Sequence, residues 1–248
     1  MSNPTFDILL LIARPAAGKS EIIDHLRKTE VSERIRRYHI GPFEEIDDFP
    51  MIWTWFEEDA ILSRLGFPRL HTDEEENFID QHLWHLLIER ISLEYDKLVA
   101  EEPCFHRQKS VIIEFARGSE HGGYATAFKY LSQNIVKRIA VMYVNVSWEE
   151  SLRKNRIRFN PDRPYSTLEH ALPDDKLEKL YRFVDWEEVS ASHPDFLTIQ
   201  GLKVPYIVFD NEDDVTTIRG EALSERLEVA LGKLWDLYNK HQIKVDYD

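Results

Sequence analysis

The stretch Leu9–Ile23, LLLIARPAAGKSEII, constrains the fold more than any other part of the chain. The apolar run Phe6–Ile12 gives way to a turn containing Pro15 and Gly18, and the residues from Ser20 to Lys28 place Ile22, Ile23 and Leu26 along one side of a helix. A short run rich in Ile and Leu suits a strand buried on both faces of a parallel sheet. Strand, tight turn and helix in that order aim backbone N–H groups and the positive end of the helix dipole at one point, which makes a seat for an anion. Within Ala13, Arg14, Pro15, Ala16, Ala17, Gly18, Lys19 and Ser20, the glycine allows close backbone approach, the lysine reaches β- and γ-phosphates, and the Ser20 hydroxyl suits Mg²⁺. Ala13 stands where this pattern usually has Gly, and a methyl group is the smallest side chain that can be added there. Pro15 stiffens the turn.

Further strands are expected at Arg37–Ile40, Ser110–Phe115, Ile139–Val146 and Tyr206–Phe209. Helical stretches lie between them, and that alternation implies a parallel sheet flanked by helices. The longest periodic stretch, Glu75–Ala100, carries Ile79, Leu83, Leu86, Leu87, Ile91, Tyr95 and Leu98 at three- and four-residue steps. A helix starts at Ser147, with Glu150 three residues after the cap, and a last one spans Arg219–Lys240. The expectation is one α/β domain over residues 1–248, three layers deep, with five parallel strands and a lid at residues 147–176. The Pro-rich polar segment Phe159–Lys176 is its moving part.

A net charge of −14 disfavours nucleic acid or an anionic membrane as partner, since either is approached against repulsion. No apolar run approaches the roughly 20 residues of a membrane span, and MSNPTFD has no basic region of an export signal. With a single cysteine, Cys104, read as a small buried hydrophobe, a reducing cytoplasmic compartment is expected. His82 and His85 one turn apart, with Glu89 a turn further, read as surface or core side chains rather than a zinc site.

A GTP-dependent switch carries Asp-x-x-Gly after a later strand and Asn-Lys-x-Asp for guanine; neither occurs here. The strand SVIIEF is followed instead by ARGSEHGG. A carboxylate at a strand's carboxyl end lies where open α/β sheets bind ligands, so Glu114 suits Mg²⁺ or a proton from an attacking hydroxyl. Arg117 suits an acceptor's phosphate or hydroxyl. The stretch LRKNRIRFNPDR gathers Arg153, Lys154, Arg156, Arg158 and Arg163 in a strongly acidic chain.

With these motifs the sequence resembles the P-loop kinases of the nucleoside monophosphate kinase and deoxynucleoside kinase type, which accept Ala at the first position of the loop. EFARGS approximates their Asp-Gly-x-Pro-Arg or Glu-Arg-Ser motif without matching either. The resemblance implies an ATP·Mg²⁺-dependent phosphotransferase whose acceptor is a small molecule, a nucleoside or nucleotide first of all. It implies donor contacts from Ala13 to Ser20 and from Ile22, metal ligation by Ser20 and Glu114, and catalytic roles for Lys19, Glu114, Arg117, Arg153, Arg156 and Arg163. The loop after the last strand passes the adenine in these kinases, which implies a base contact for Asn211. They also place a carboxylate and stacking aromatics after the second strand, where this chain has Glu44, Glu45, Asp47, Asp48, Trp53, Trp55 and Phe56. The choice among those carboxylates stays open, as does a core role for the aromatics. An ATP-hydrolysing regulator and an inactive nucleotide-binding module are the alternatives, and a homodimer stays open.

Overall fold

The computed structural model describes residues 5–160, 162 and 171–242. Strand β1 (Ile8–Ala13) and helix α1 (Lys19–Lys28) flank the glycine-containing turn. They are followed by α2 (Val31–Tyr38), β2 (Phe43–Asp47), α3 (Phe49–Arg64), α4 (His82–Glu101), β3 (Ser110–Phe115), α5 (Gly123–Ala127) and α6 (Gln133–Val136). Next come β4 (Ile139–Asn145), α7 (Trp148–Arg158), α8 (Asp174–Tyr181), α9 (Trp186–Ser190), β5 (Phe196–Ile199), β6 (Leu202–Asp210), α10 (Val215–Ile218) and α11 (Gly220–Gln242).

The strands form one sheet in the order β2-β3-β1-β4-β6-β5. Side chains alternate across a strand, and β1 divides accordingly. Ile8, Leu10 and Ile12 join Ile88, Ile91, Tyr95 and Trp186 on one face, whereas Leu9, Leu11 and Ala13 join Ile22, Leu26, Leu223, Leu227 and Leu231 on the other. Helices thus cover both faces, and β1 is buried along its whole length. The sheet places the carboxyl ends of β1, β2 and β3 side by side: Leu11 and Asp47 both face Glu114 in register.

The expectation of five parallel strands is corrected in two respects. The sheet has six, because β5 and β6 form an antiparallel hairpin closed by Gln200 and Gly201, both at positive φ. The second strand is Phe43–Asp47 rather than Arg37–Ile40. Residues 37 and 38 end α2, where Arg37 reaches Glu221 and Glu228 on α11. The long helix starts at His82, not Glu75, since the Asp73 carboxylate takes the N–H groups of Glu75 and Asn77 and folds that segment into a turn. Ile79 is accordingly exposed. Cys104, expected inside, is exposed at φ 61°. Ser147 caps α7 as expected, its Oγ accepting from the Glu150 N–H at 3.1 Å. Among the described residues no helix is long and apolar enough to cross a membrane.

Candidate active site

The turn between β1 and α1 is held open by its neighbours. Ala16 and Gly18 take left-handed φ values of 57° and 112°. A Cβ on Gly18 would lie 2.5 Å from Thr216 Oγ1 and 2.8 Å from Asn211 Nδ2, so only glycine fits. Two side chains fix the outside of the loop, and a third braces Thr216 beside it. Ser151 Oγ donates to the Pro15 carbonyl at 2.8 Å, Asn211 Nδ2 to the Ala17 carbonyl at 2.8 Å, and Lys154 Nζ to Thr216 Oγ1 at 3.1 Å. Arg14 spreads its guanidinium over the carbonyls of Val146, Tyr181 and Arg182. The Pro15 and Ala17 carbonyls are thus held from outside and the Ala17 N–H by the Arg14 carbonyl, which leaves the N–H groups that open α1, at Lys19 and Ser20, without an intrahelical acceptor and available to an anion.

A cavity of about 410 Å³ opens above the loop and is lined by Pro15, Ala16, Ala17, Gly18, Lys19 and Ser20 on that side. Opposite stand Glu45, Asp47, Asp48, Glu114 and Arg117. Glu45, Asp47 and Glu114 each offer a carboxylate oxygen, all within 4.8 Å of one another. Ser20 Oγ donates to Glu114 Oε1 at 3.5 Å, while Glu114 Oε2 is buried without a partner. Burial raises the pKa of Glu114; Lys19 opposes the rise, and Glu45 and Asp48 add to it. Burial likewise raises Asp47, with Glu114 and Asp48 adding to it, against the Phe49 N–H and Lys19. The two carboxyl groups therefore hold a proton between them above the usual carboxylate range. An orphaned oxygen in a carboxylate cluster beside a serine hydroxyl fits a divalent cation, whose charge would displace that proton.

Asp48 is spent differently. Its Oδ2 accepts from Arg117 Nη1 at 2.6 Å in a pair that is almost wholly buried. Arg117 also donates to the carbonyls of Ala116 and Trp84 and lies against the Trp84 and Phe115 rings. Of the other acidic residues in question, Glu44 pairs with Lys109 at the sheet edge, and Glu45 pairs with Arg27.

The expected site residues divide. Lys19, Ser20, Glu114 and Arg117 come together with Pro15 to Gly18 around the cavity. The Ala13 side chain is sealed in the core, as is Ile22, which lies three residues into α1 on its buried face. Asn211, expected at a nucleotide base, has no exposed surface; its amide is consumed by Ala17 and Thr216. Arg153 is held by Glu150 and Asp214, and Arg156 by Asp174; neither lines the cavity, whereas Arg158 does. Arg163 lies outside the described residues. Sequence reasoning missed Asp24, Arg27 and Arg219, which also line the cavity. Asp24 and Arg27 stand four and seven residues beyond Ser20, the spacing of one helix face, and that signal was available. Trp53, Trp55 and Phe56 do not line the cavity; Trp55 stacks on His71 at 4.9 Å. His85 stacks on Tyr130 rather than gathering metal ligands.

No protein-family model matches the chain, and no curated protein matches it. Among solved structures, an unliganded sugar kinase from Janibacter sp. HTCC2649 aligns over 92% of this chain and 95% of its own, at 16% identity and a TM-score of 0.41. TT1252 from Thermus thermophilus aligns over 90% of this chain and 93% of its own, at 12% identity and a TM-score of 0.42.

Proposed function

We propose that the protein is a phosphotransferase that moves the γ-phosphoryl group of ATP·Mg²⁺ to a hydroxyl of a small molecule. The observation that carries this reading is the facing of two unlike walls across one cavity: an N–H-lined loop with Lys19 on one side, and the Asp47–Glu114 pair with its unpartnered oxygen on the other. The loop and Lys19 hold donor phosphates and favour the charge that spreads over the γ-oxygens in a loose transition state. Bound Mg²⁺ would neutralise phosphate charge, and Ser20 and Glu114 are the residues to hold it. Asp47 takes the acceptor's proton as the acceptor oxygen bonds to the γ-phosphorus. The bond from that phosphorus to the bridging oxygen breaks, and its electron pair leaves with ADP. Asp47 suits this work by its place at the carboxyl end of β2, on the cavity wall beside Glu114. Arg158 lines the cavity from α7, the helix fastened to Pro15, and in this reading it covers the transferring group.

The test offers γ-labelled ATP with Mg²⁺ and pools of nucleosides, nucleotides, sugars and other metabolite alcohols. Label in an acceptor, lost in Lys19→Ala, is the expected result. Phosphate released at the same rate with and without any acceptor would identify a hydrolase instead, and ATP binding with neither product would identify a binding module.

A further inference from the structure

Four carboxylates and four arginines line this cavity outside the loop and α1, α1's Arg27 included among the latter, and their pairing limits what can enter. Arg27 is paired with Glu45, Arg219 with Asp24 at 2.5 Å, and Arg117 with Asp48 at 2.6 Å. The fourth, Arg158, comes from α7, the helix that Ser151 fastens to the loop. Arg117 is 1% exposed, and its two terminal nitrogens already serve Asp48, Ala116 and Trp84. The acceptor wall therefore presents Asp47 and Glu114 with apolar Phe49, Pro50 and Ile52 beside them, and among the described residues each arginine on that wall is paired with a carboxylate. Glu114 is only 7% exposed, and its partnerless Oε2 calls for a donor or a cation rather than an anion. A phosphomonoester seated here would face like charge and would reach Arg117 only by displacing a buried Asp48. A neutral polyol has hydroxyl donors for the carboxylates and carbon faces for the apolar flank.

Resting on the kinase reading, we propose that the acceptor is an uncharged polyhydroxylic molecule and that the Arg117–Asp48 pair excludes acceptors that already carry a phosphate. The full chain is assayed with ATP and Mg²⁺ against two matched arms, free sugars and nucleosides, each beside its own monophosphate. The expected result is a kcat/KM for the neutral member at least about 100-fold above that of its monophosphate, in whichever arm is active. Monophosphates used as well as or better than their neutral parents would overturn this inference and leave the kinase reading standing. No transfer in either arm would overturn this inference, and no transfer to the other metabolite alcohols as well, with ATP still bound, would overturn both.

Asp48→Asn, checked for folding by near-ultraviolet circular dichroism, uncovers the Arg117 charge. The neutral-to-phosphorylated preference is expected to narrow by about tenfold through the KM of the monophosphate, whereas a purely structural role would lower both rates together and leave the ratio unchanged. Should that variant not fold, the wild-type ratio alone decides.

Discussion

Two carboxylate sites of this chain are built on opposite plans. Asp59, within α3, is fully buried, yet its oxygens accept from the N–H groups of Leu70, His71 and Thr72 and from the Thr72 hydroxyl. Burial raises its pKa, but these bonds outweigh burial and lower it to about 2. Asp47, just before α3, is half-buried, and Glu114, at the end of β3, is buried with one oxygen lacking a donor; desolvation raises both. The first site is complete and holds a loop in place. The second is incomplete and stores repulsion that a bound cation or a proton relieves, which is the mark of a site shaped for a ligand.

The largest difference between them should appear in activity. Lys19→Ala or Glu114→Gln should lower phosphoryl transfer by on the order of 10³ while the denaturation midpoint stays within the wild-type range, read by labelled transfer and urea unfolding. Asp59→Ala should do the reverse, costing about 3 kcal/mol in urea unfolding because four hydrogen-bonding groups lose their acceptor; an unchanged midpoint would end the contrast. The acid limb sharpens it. A folded value of about 2, against an ordinary 3.8, corresponds to about 2 kcal/mol. That stability is present above pH 4 and lost as the pH falls through the folded value, so wild type should lose it between pH 4 and 2 and Asp59→Asn should not.

Smaller effects belong to the incomplete site. The proton held by the Asp47–Glu114 pair must leave when a divalent cation binds, so Mn²⁺ affinity should fall about tenfold per unit as the pH drops below neutrality, measured by electron paramagnetic resonance. The stability sign is opposite to that of Asp59. A raised carboxyl favours the folded state at low pH and weighs against it as the pH rises through the folded value, so Asp47→Asn should stabilise the protein by about 1 kcal/mol at pH 7 while abolishing transfer. A less stable Asp47→Asn protein would mean that the pair is a structural ion site of the Asp59 kind.

What could be read in the sequence follows the same division. The six residues of β3 and the caps around β1 and α7 are legible because burial on both faces and cap chemistry are local signals. β2 was not, since an edge strand can carry Glu44 and Glu45 along a free side, while the Arg-rich residues before it look more strand-like than they are. Lys19, Ser20 and Glu114 were legible from their positions after strands. The ion pairs that occupy Arg117, Arg153 and Arg156 were not, because their partners Asp48, Glu150, Asp214 and Asp174 include residues tens of positions away. Charge type is local; charge partner is tertiary.

The central place of β1 has a consequence for how the chain is made. It is synthesised before β3 and β4, with which it pairs, so it waits for residues 110–145 before the sheet can close around it. The loop behind it waits longer, since Ser151 holds Pro15 and Asn211 holds Ala17. The turn is thus written well before the residues that brace it, so a product ending before Asn211 would carry the whole loop sequence without the bond that holds the Ala17 carbonyl.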